Sequence, residues 1–320
     1  MNILGIDISK QTFNVALLRD TKLRHRKFSN TPDGFKMLVS WLTKQGVNQI
    51  HACLESTGIY GEALAEYLHN AGHVVSVVNP ARIKAFAQTE LQRNKTDKAD
   101  AGLIARFCQE KKPDRWLPAP AEIRDLQALV RHLDSLVQTR TQLSNRLSTT
   151  GARTVIESLQ NLIQAVDVEI DQTRSQIRDH IDNHPDLKKR QDLLTSIPGI
   201  GDQTAAKLLA EIEHLSDYKH SKEAVAYAGL SPQHKQSGTS VRGRSKLSKI
   251  GNSRVRKSLY LPAVVAIRYN PIIRALAQRL AQRGKCKMVI IGAAMRKLLH
   301  LAYGVLKTHK PFDENHALSA

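Results

Sequence analysis

The sequence predicts a mixed α/β unit at the N-terminus followed by a helical remainder. Three observations carry this. Short apolar runs of strand length alternate with amphipathic helical stretches over the first third. From Glu122 onward, apolar residues recur at steps of three and four. Positive charge is then concentrated in the last third: from Ala224 to Phe312 there are 18 Lys and Arg and no acid.

The elements follow in order. Ile3-Leu4-Gly5-Ile6-Asp7 reads as a buried strand ending in an acid. Phe13 to Leu18 and Arg24 to Ser29 read as two more, and close spacing suits an antiparallel meander. Thr31-Pro32 opens a helix with a cap and a first-turn proline, and Phe35, Leu38, Val39 and Leu42 form its apolar face. Ile50 to Leu54 is a fourth strand with Glu55 at its end. A helix from Ile59 to Ala71, closed by Gly72, leads to a fifth strand, Val74 to Val78, stopped by Asn79-Pro80. A helix near Arg82 to Ala87 follows. The next helix grows out of Arg93-Asn94-Lys95-Thr96-Asp97-Lys98-Ala99-Asp100, with Leu103, Ile104 and Phe107 on one face.

Asp97 and Asp100 are three residues apart and so share a helical face. First-turn acids often only offset a helix dipole. The order of elements points further. Three strands, helix, strand, helix, strand and helices is the order of an RNase H-like fold, in which acids on the first strand, the fourth strand and a late helix meet. Here these are Asp7, Glu55, Asp97 and Asp100. Adjacent strands lie about 4.8 Å apart, so acids at the same end converge. Repulsion among four carboxylates is relieved by divalent cations, and two Mg²⁺ ions about 3.5–4 Å apart suit phosphodiester displacement.

The chain has 320 residues, 48 Lys and Arg against 29 Asp and Glu, and a formal charge of +19. That balance asks for a polyanion, nucleic acid or an anionic membrane. The most apolar stretch, Met288 to Leu306, is interrupted by Arg296, Lys297 and His300, which argues against a membrane span. Asp7 lies within the first apolar segment and no basic leader precedes it, which argues against a signal peptide. Cys53, Cys108 and Cys286 are scattered, which suggests a reducing cytosol and no zinc site.

Leu126, Leu129, Leu133, Leu136 and Leu143 form a long helical seam interrupted by Arg140. After Gly151 the pattern resumes at Ile156, Leu159, Ile163, Val166, Ile170 and Ile177. An antiparallel coiled-coil hairpin and ordinary bundle packing both fit. Pro185 closes this arm. Ile197-Pro198-Gly199-Ile200-Gly201 then resembles the hairpin of a helix-hairpin-helix unit, in which Gly199 and Gly201 let backbone N–H groups face a phosphate, or else simply form a tight turn.

Beyond a short helix, Ser221 to Leu230, the chain is small, polar and basic, a poor core and a good phosphate cradle. Lys235, Arg242, Arg244, Lys246 and Lys249 lie in this loop. Asn252 caps a helix running to Ile267 that opens with Arg254, Arg256 and Lys257. Pro271 starts another helix, ended by Gly284, and a last one runs from about Lys287 to Lys307.

Gly5-Ile6-Asp7, Glu55-Ser56-Thr57-Gly58, Asn94 to Asp100, Ile197 to Gly201, Ala228-Gly229-Leu230, Gln236-Ser237-Gly238 and Lys249-Ile250-Gly251-Asn252, in this order, resemble the DEDD transposases of the insertion sequence 110 family over essentially the whole chain. The resemblance implies a RuvC-like nuclease domain (1–118), a coiled-coil dimerisation arm (119–184) and a transposase domain (185–320). It implies a recombinase that uses the acid tetrad and a serine forming a covalent phosphoserine–DNA intermediate. Motif position puts that role on Ser237, with Ser240, Ser245 and Ser248 nearby. It also implies a structured guide (bridge) RNA choosing donor and target DNA, a homodimer or dimer of dimers, and a bacterial cytoplasmic, nucleoid-associated location. Rival readings are a Holliday-junction endonuclease with water as nucleophile, an actin-like sugar kinase (for which glycine and threonine after Asp7 are missing) and a non-enzymatic DNA binder.

Overall fold

The computed structural model describes residues 2–56, 58, 60–90, 97–212, 215, 218–233, 236–237, 241–242 and 246–314, without the side chains at 97, 98, 236, 237, 241 and 242. It divides into two compact units, Met1–Pro118 and Ala119–Ala320.

The first unit is built on strands β1 (Asn2–Ile8), β2 (Thr12–Arg19), β3 (Lys22–Ser29), β4 (Ile50–Glu55) and β5 (Val74–Val78). They form one sheet in the order β3-β2-β1-β4-β5. The first three make the expected antiparallel meander, and β4 and β5 add to β1 in parallel. Helices α1 (Pro32–Lys44), α2 (Glu62–Asn70), α3 (Pro80–Thr89) and α4 (Asp97–Lys111) supply the connections and covers. Side chains alternate along a strand, so β1 feeds both faces. Leu4 and Ile6 join Phe13, Phe35, Leu38 and Leu64 in one core, and Ile3 joins Ile83, Ile104 and Phe107 in the other. β3 is an edge strand of mostly exposed, basic residues, a composition that discourages pairing with other chains.

Gly5 sets the distance between the sheet and α4. A Cβ built there would lie 2.1 Å from the Ala101 carbonyl oxygen and 2.4 Å from the Ala105 nitrogen. Only a residue without a side chain lets the helix backbone rest directly on the strand.

The second unit opens with two long helices, α5 (Ala121–Leu147) and α6 (Arg153–Asp182), packed against each other. Ile123, Leu126, Val130 and Leu133 on α5, and Leu159, Ile170, Ile177 and Ile181 on α6, are buried. Where Arg140 interrupts the leucine spacing, its guanidinium pairs with Asp167 at 2.8 Å. Then come α7 (Pro185–Thr195), α8 (Asp202–Glu211) and α9 (Ser221–Tyr227). Short strands β6 (Pro232–Gln233), β7 (Gln236–Ser237), β8 (Val241–Arg242) and β9 (Lys246–Leu247) follow. Helices α10 (Ser253–Ser258), α11 (Tyr260–Tyr269), α12 (Pro271–Gln282) and α13 (Lys287–Thr308) complete the unit. The inner ends of α5 and α6 share one hydrophobic core with α7 to α13. Gln127 Nε2 donates to the Ala210 carbonyl at 2.7 Å, Arg131 pairs with Glu211 and Lys207 pairs with Asp134, so one stripe of α5 is tied to α8.

Pro185 follows the end of α6 and is the first residue of α7, where its missing N–H costs nothing. Two expectations need correction. The helix expected from Asn252 to Ile267 breaks at Leu259, because Pro262 has no N–H for the Ser258 carbonyl and its ring crowds that oxygen. The basic loop is not irregular throughout: β6 pairs with β9 and β7 with β8, each over two residues. By length and composition α13 is apolar enough to cross a membrane; here Leu298, Leu299 and Ala302 are fully buried in the core of the second unit. Arg93, Asn94, Lys95, Thr96 and Ile59 lie outside the described residues, and α2 begins at Glu62.

Gly5→Val should lower stability by about 1–3 kcal/mol in denaturant unfolding of the full chain. Gly151→Ala, with no atom within 4 Å of its added Cβ, should stay within about 0.5 kcal/mol.

Candidate active site

The last pair between β1 and β4 is Ile6 with Leu54. Asp7 and Glu55 are the next residue on each strand, so they stand level at the carboxyl end of two neighbouring parallel strands. Both are half-buried. They share the face of Gly5 and Cys53, two residues earlier, which is the face α4 covers. On the other side Asp7 is opposite Asn14 of β2. Asn14 is buried, a polar residue inside an otherwise apolar strand. It is absent from the residues that the sequence singles out; the one break in the apolar run Phe13 to Leu18 is its only signal.

The direction of α4 brings its acids toward the same edge. Ala101 and Ala105 meet Gly5, while Cys108, further along the helix, reaches Cys53 and His51. His51 is level with Ile3, nearer the start of β1. The helix therefore runs opposite to β1 and β4, and its first turn lies toward the end where Asp7 and Glu55 stand. Asp100 is half-buried in that turn. Asp97 is the first residue of α4, and its side chain lies outside the described residues. Among the described residues no three His, Cys, Asp or Glu side chains are gathered closely enough to hold a metal. The structure thus brings Asp7 and Glu55 to one edge and aims the turn of Asp97 and Asp100 at it.

Behind the acids lies a buried polar chain. The Ser76 hydroxyl meets His51 Nε2 at 2.7 Å and lies 2.7 Å from the Asp114 carbonyl and 3.1 Å from that of Pro113, which anchors the segment that leaves α4. The hydrogen bond to Cys108, together with burial, pushes the Cys53 thiol well above its ordinary range. The same hydrogen bond draws the Cys108 thiol down to about 6.

In the second unit the two glycines of Pro198-Gly199-Ile200-Gly201 do different work. Gly199 has φ +107°, and a Cβ there would lie 2.7 Å from the Ala266 Cβ, so it permits close packing of the turn on α11. Gly201 is exposed, precedes α8 as its cap and has nothing within 4 Å of an added Cβ, which leaves the start of α8 open.

The segment holding Ser237 leaves and returns through a narrow neck. Gly251 (φ +140°) crosses so close to the Tyr227 carbonyl that a Cβ would lie 2.1 Å from its oxygen. Lys249 N donates to Gly229 O at 3.1 Å, and Ser248 N to Ser231 O at 2.9 Å. Further out, Gln236 pairs with Arg242 and Ser237 with Val241. Lys235 and Arg244 lie outside the described residues, as do Ser240 and Ser245, and the side chains of Ser237 and Arg242 are not described. Lys246 and Lys249 are exposed. Arg256 is half-buried and donates to the carbonyls of Ala228 (3.0 Å) and Lys249 (3.3 Å), one on each side of the neck.

Arg254 and Lys257 are exposed and, with Ser253, Arg256, Tyr260, Leu261 and Met295, line a groove of about 760 Å³. On α13, burial and then the cations Arg296, Lys297 and Lys222 hold the His300 imidazole below its ordinary pKa.

Residues 4–150 match a family model described as a transposase of the DEDD, IS110 type, and residues 191–278 match a model for transposases of the IS116/IS110/IS902 family. The chain is 35% identical over 319 residues to the pilin gene-inverting protein of Moraxella bovis, covering 97% of each. It is equally similar to the protein of that name from Moraxella lacunata. It is 23% identical over 319 residues to the transposase for insertion sequence element IS1111A of Coxiella burnetii, covering 83% of each. An RNase H-like acid domain joined to a helical, basic second unit, matched end to end by such relatives, means that the chain belongs to the insertion sequence 110 family of transposases, enzymes that act on DNA.

Proposed function

We propose that this transposase cuts and rejoins DNA strands with two sets of residues, the acids Asp7, Glu55, Asp97 and Asp100 and the nucleophile Ser237. The observation that carries the reading is the level placement of Asp7 and Glu55 with the first turn of α4 directed at them. A divalent requirement follows from the DEDD domain. The donor set fits Mg²⁺: carboxylates only, with Asp7, Glu55 and Asp100 half-buried toward one sheet edge. Asp7, Glu55, Asp97 and Asp100 are assigned as its ligands, in a two-ion site. Bound there, Mg²⁺ supplies Lewis-acid stabilisation of charge at the phosphate.

The chain's own part is positioning and nucleophilic attack. As the Ser237 Oγ–P bond forms, the bond from phosphorus to one deoxyribose oxygen breaks. The proton lost by the serine is balanced by the one gained by the departing sugar hydroxyl. Attack by another strand's hydroxyl reverses the step, frees Ser237 and leaves a new junction. The exposed cations Lys246, Lys249, Arg254 and Lys257, with Lys235, Arg242 and Arg244, hold phosphates, and the open start of α8 after Gly201 adds backbone donors in the manner of a helix-hairpin-helix. Arg256 supports this surface from within.

Guidance by a structured RNA, bound to the same protein, accounts for a charge of +19. The α5–α6 hairpin serves as a coiled-coil dimerisation arm, since Leu162 and Val168 are about half exposed along it. The site of action is the nucleoid in the cytoplasm. A second reading is favoured by the end-to-end match to the pilin gene-inverting proteins. The same chemistry acting on two sites in opposite orientation inverts the DNA between them. A plasmid carrying the element's ends in direct and inverted orientation separates the two outcomes.

Asp7→Asn and Glu55→Gln should each lower recombination at least about 100-fold, as should chelation of Mg²⁺, while gel-shift affinity for DNA holds. Retained recombination would exclude the metal site. Ser237→Ala should form no covalent protein–DNA adduct; cleavage that persists without an adduct identifies a nuclease using water. Lys257→Ala should weaken DNA binding regardless of sequence and reduce the salt slope by about 1. Sequencing of co-purifying nucleic acid should return one discrete small RNA, and its absence from recombination-competent protein excludes guidance.

A further inference from the structure

Glu211 ends α8 with its side chain only 5% exposed. A buried carboxylate is expensive, and an ion pair there is no better for stability than well-packed apolar residues. What it touches suggests its use. One oxygen meets Arg131 Nε of α5 at 3.2 Å, and the other accepts from Asn252 Nδ2 at 3.1 Å. Its backbone carbonyl accepts from the Tyr227 hydroxyl at 3.4 Å. Tyr227 and Asn252 flank the neck of the Ser237 segment, and Asn252 N donates to the Tyr227 carbonyl at 2.6 Å. Asn252 Oδ1 in turn accepts from the N–H groups of Arg254 and Val255 and so sets the start of α10. Both ends of the segment thus converge on one residue at the end of α8, Tyr227 on its backbone carbonyl and Asn252 on its carboxylate, which Arg131 ties to α5.

We propose that Glu211 is a positioning residue for strand transfer: by holding Asn252 it fixes the return of the Ser237 segment, and with it the direction from which the serine approaches DNA. This rests on Ser237 being the nucleophile. Asn252 can satisfy α10 with its oxygen and Glu211 with its nitrogen only while residue 211 is an acceptor. In Glu211→Gln, an amide that keeps its oxygen on Arg131 presents its NH₂ to the NH₂ of Asn252. In Asn252→Asp, a second carboxylate opposes Glu211. The two changes together restore one hydrogen bond with donor and acceptor exchanged, and the new carboxylate keeps its second oxygen for the cap.

The test uses the full chain with its co-purifying nucleic acid and a nicked suicide duplex that traps covalent adduct. Adduct rate, duplex affinity and melting midpoint are measured together, and peptide mapping locates the linked residue. Glu211→Gln and Asn252→Asp should each slow adduct formation roughly tenfold or more, with duplex affinity within about twofold, because Lys246, Lys249 and Lys257 are untouched and Arg254, 3.9 Å from the Glu211 carboxylate and mostly exposed, keeps its charge. The double variant should return to within about threefold of the original rate. Either single variant keeping the original rate overturns the proposal. So does a loss of rate that follows a loss of fold or affinity in both singles and is not recovered in the double. An adduct mapped to a residue other than Ser237 in the unmodified protein overturns the serine reading itself, and this proposal with it.

Discussion

The backbone of α4 rests on the backbone of β1 at Gly5, and the arrangement of the acids depends on that contact. A helix held off by side chains sits about 10 Å from a sheet; removing one Cβ lets it drop and fixes its rotation at the same time. Ala101 and Ala105 provide the matching small surface, both fully buried. With the helix seated there, its first turn has one place to go, the edge where Asp7 and Glu55 end their strands. Register does the rest. Parallel pairing of Ile6 with Leu54 makes the two acids level through the backbone ladder alone. The acids are therefore placed by the packing and pairing of their neighbours.

The second unit handles charge in the opposite way. It gathers cations and keeps a few acids where they organise the backbone. Glu211 and Asp134 pair with Arg131 and Lys207 between α5 and α8. Arg256 shows why a basic residue is not by that fact a phosphate ligand. Its guanidinium is turned inward to two carbonyls and joins the sides of the neck. Its exposed neighbours Arg254 and Lys257 line the same groove beside it. One short helix thus carries a cation bonded to the backbone of the neck next to two that stand out toward solvent.

Much of the first unit was legible because each strand there has a short apolar run and each helix a cap or a stop, and local signals agree with the sheet that forms. Asp7 and Glu55 were legible as strand-end acids because they terminate those runs. Asn14 was not, since its importance lies in being opposite Asp7, a fact of register between strands. In the second unit the long helical seams were visible, while the break at Leu259 was hidden by a continuous helical pattern, with Pro262 its one local signal. Glu211 gave no sign at all. It looks like any polar residue at a helix end, and only the return of the chain at Asn252 makes it buried. Gly199 was readable as a turn but not as a seat for Ala266, because that partner is distant in sequence.

The neck formed at Gly229 and Gly251 carries a consequence for how such a chain can diversify. Its two sides are already bonded to one another and to α8, so the ring of backbone they close is complete before the intervening residues are considered. The entropic cost of altering the length of what hangs from a closed ring grows only logarithmically. Residues between Ser231 and Ser248 can then be exchanged or lengthened with little disturbance to α9 and α10, whose relative placement is settled at the neck. The fold keeps its helices in register while offering one replaceable cassette, and it is in that cassette that Ser237 lies.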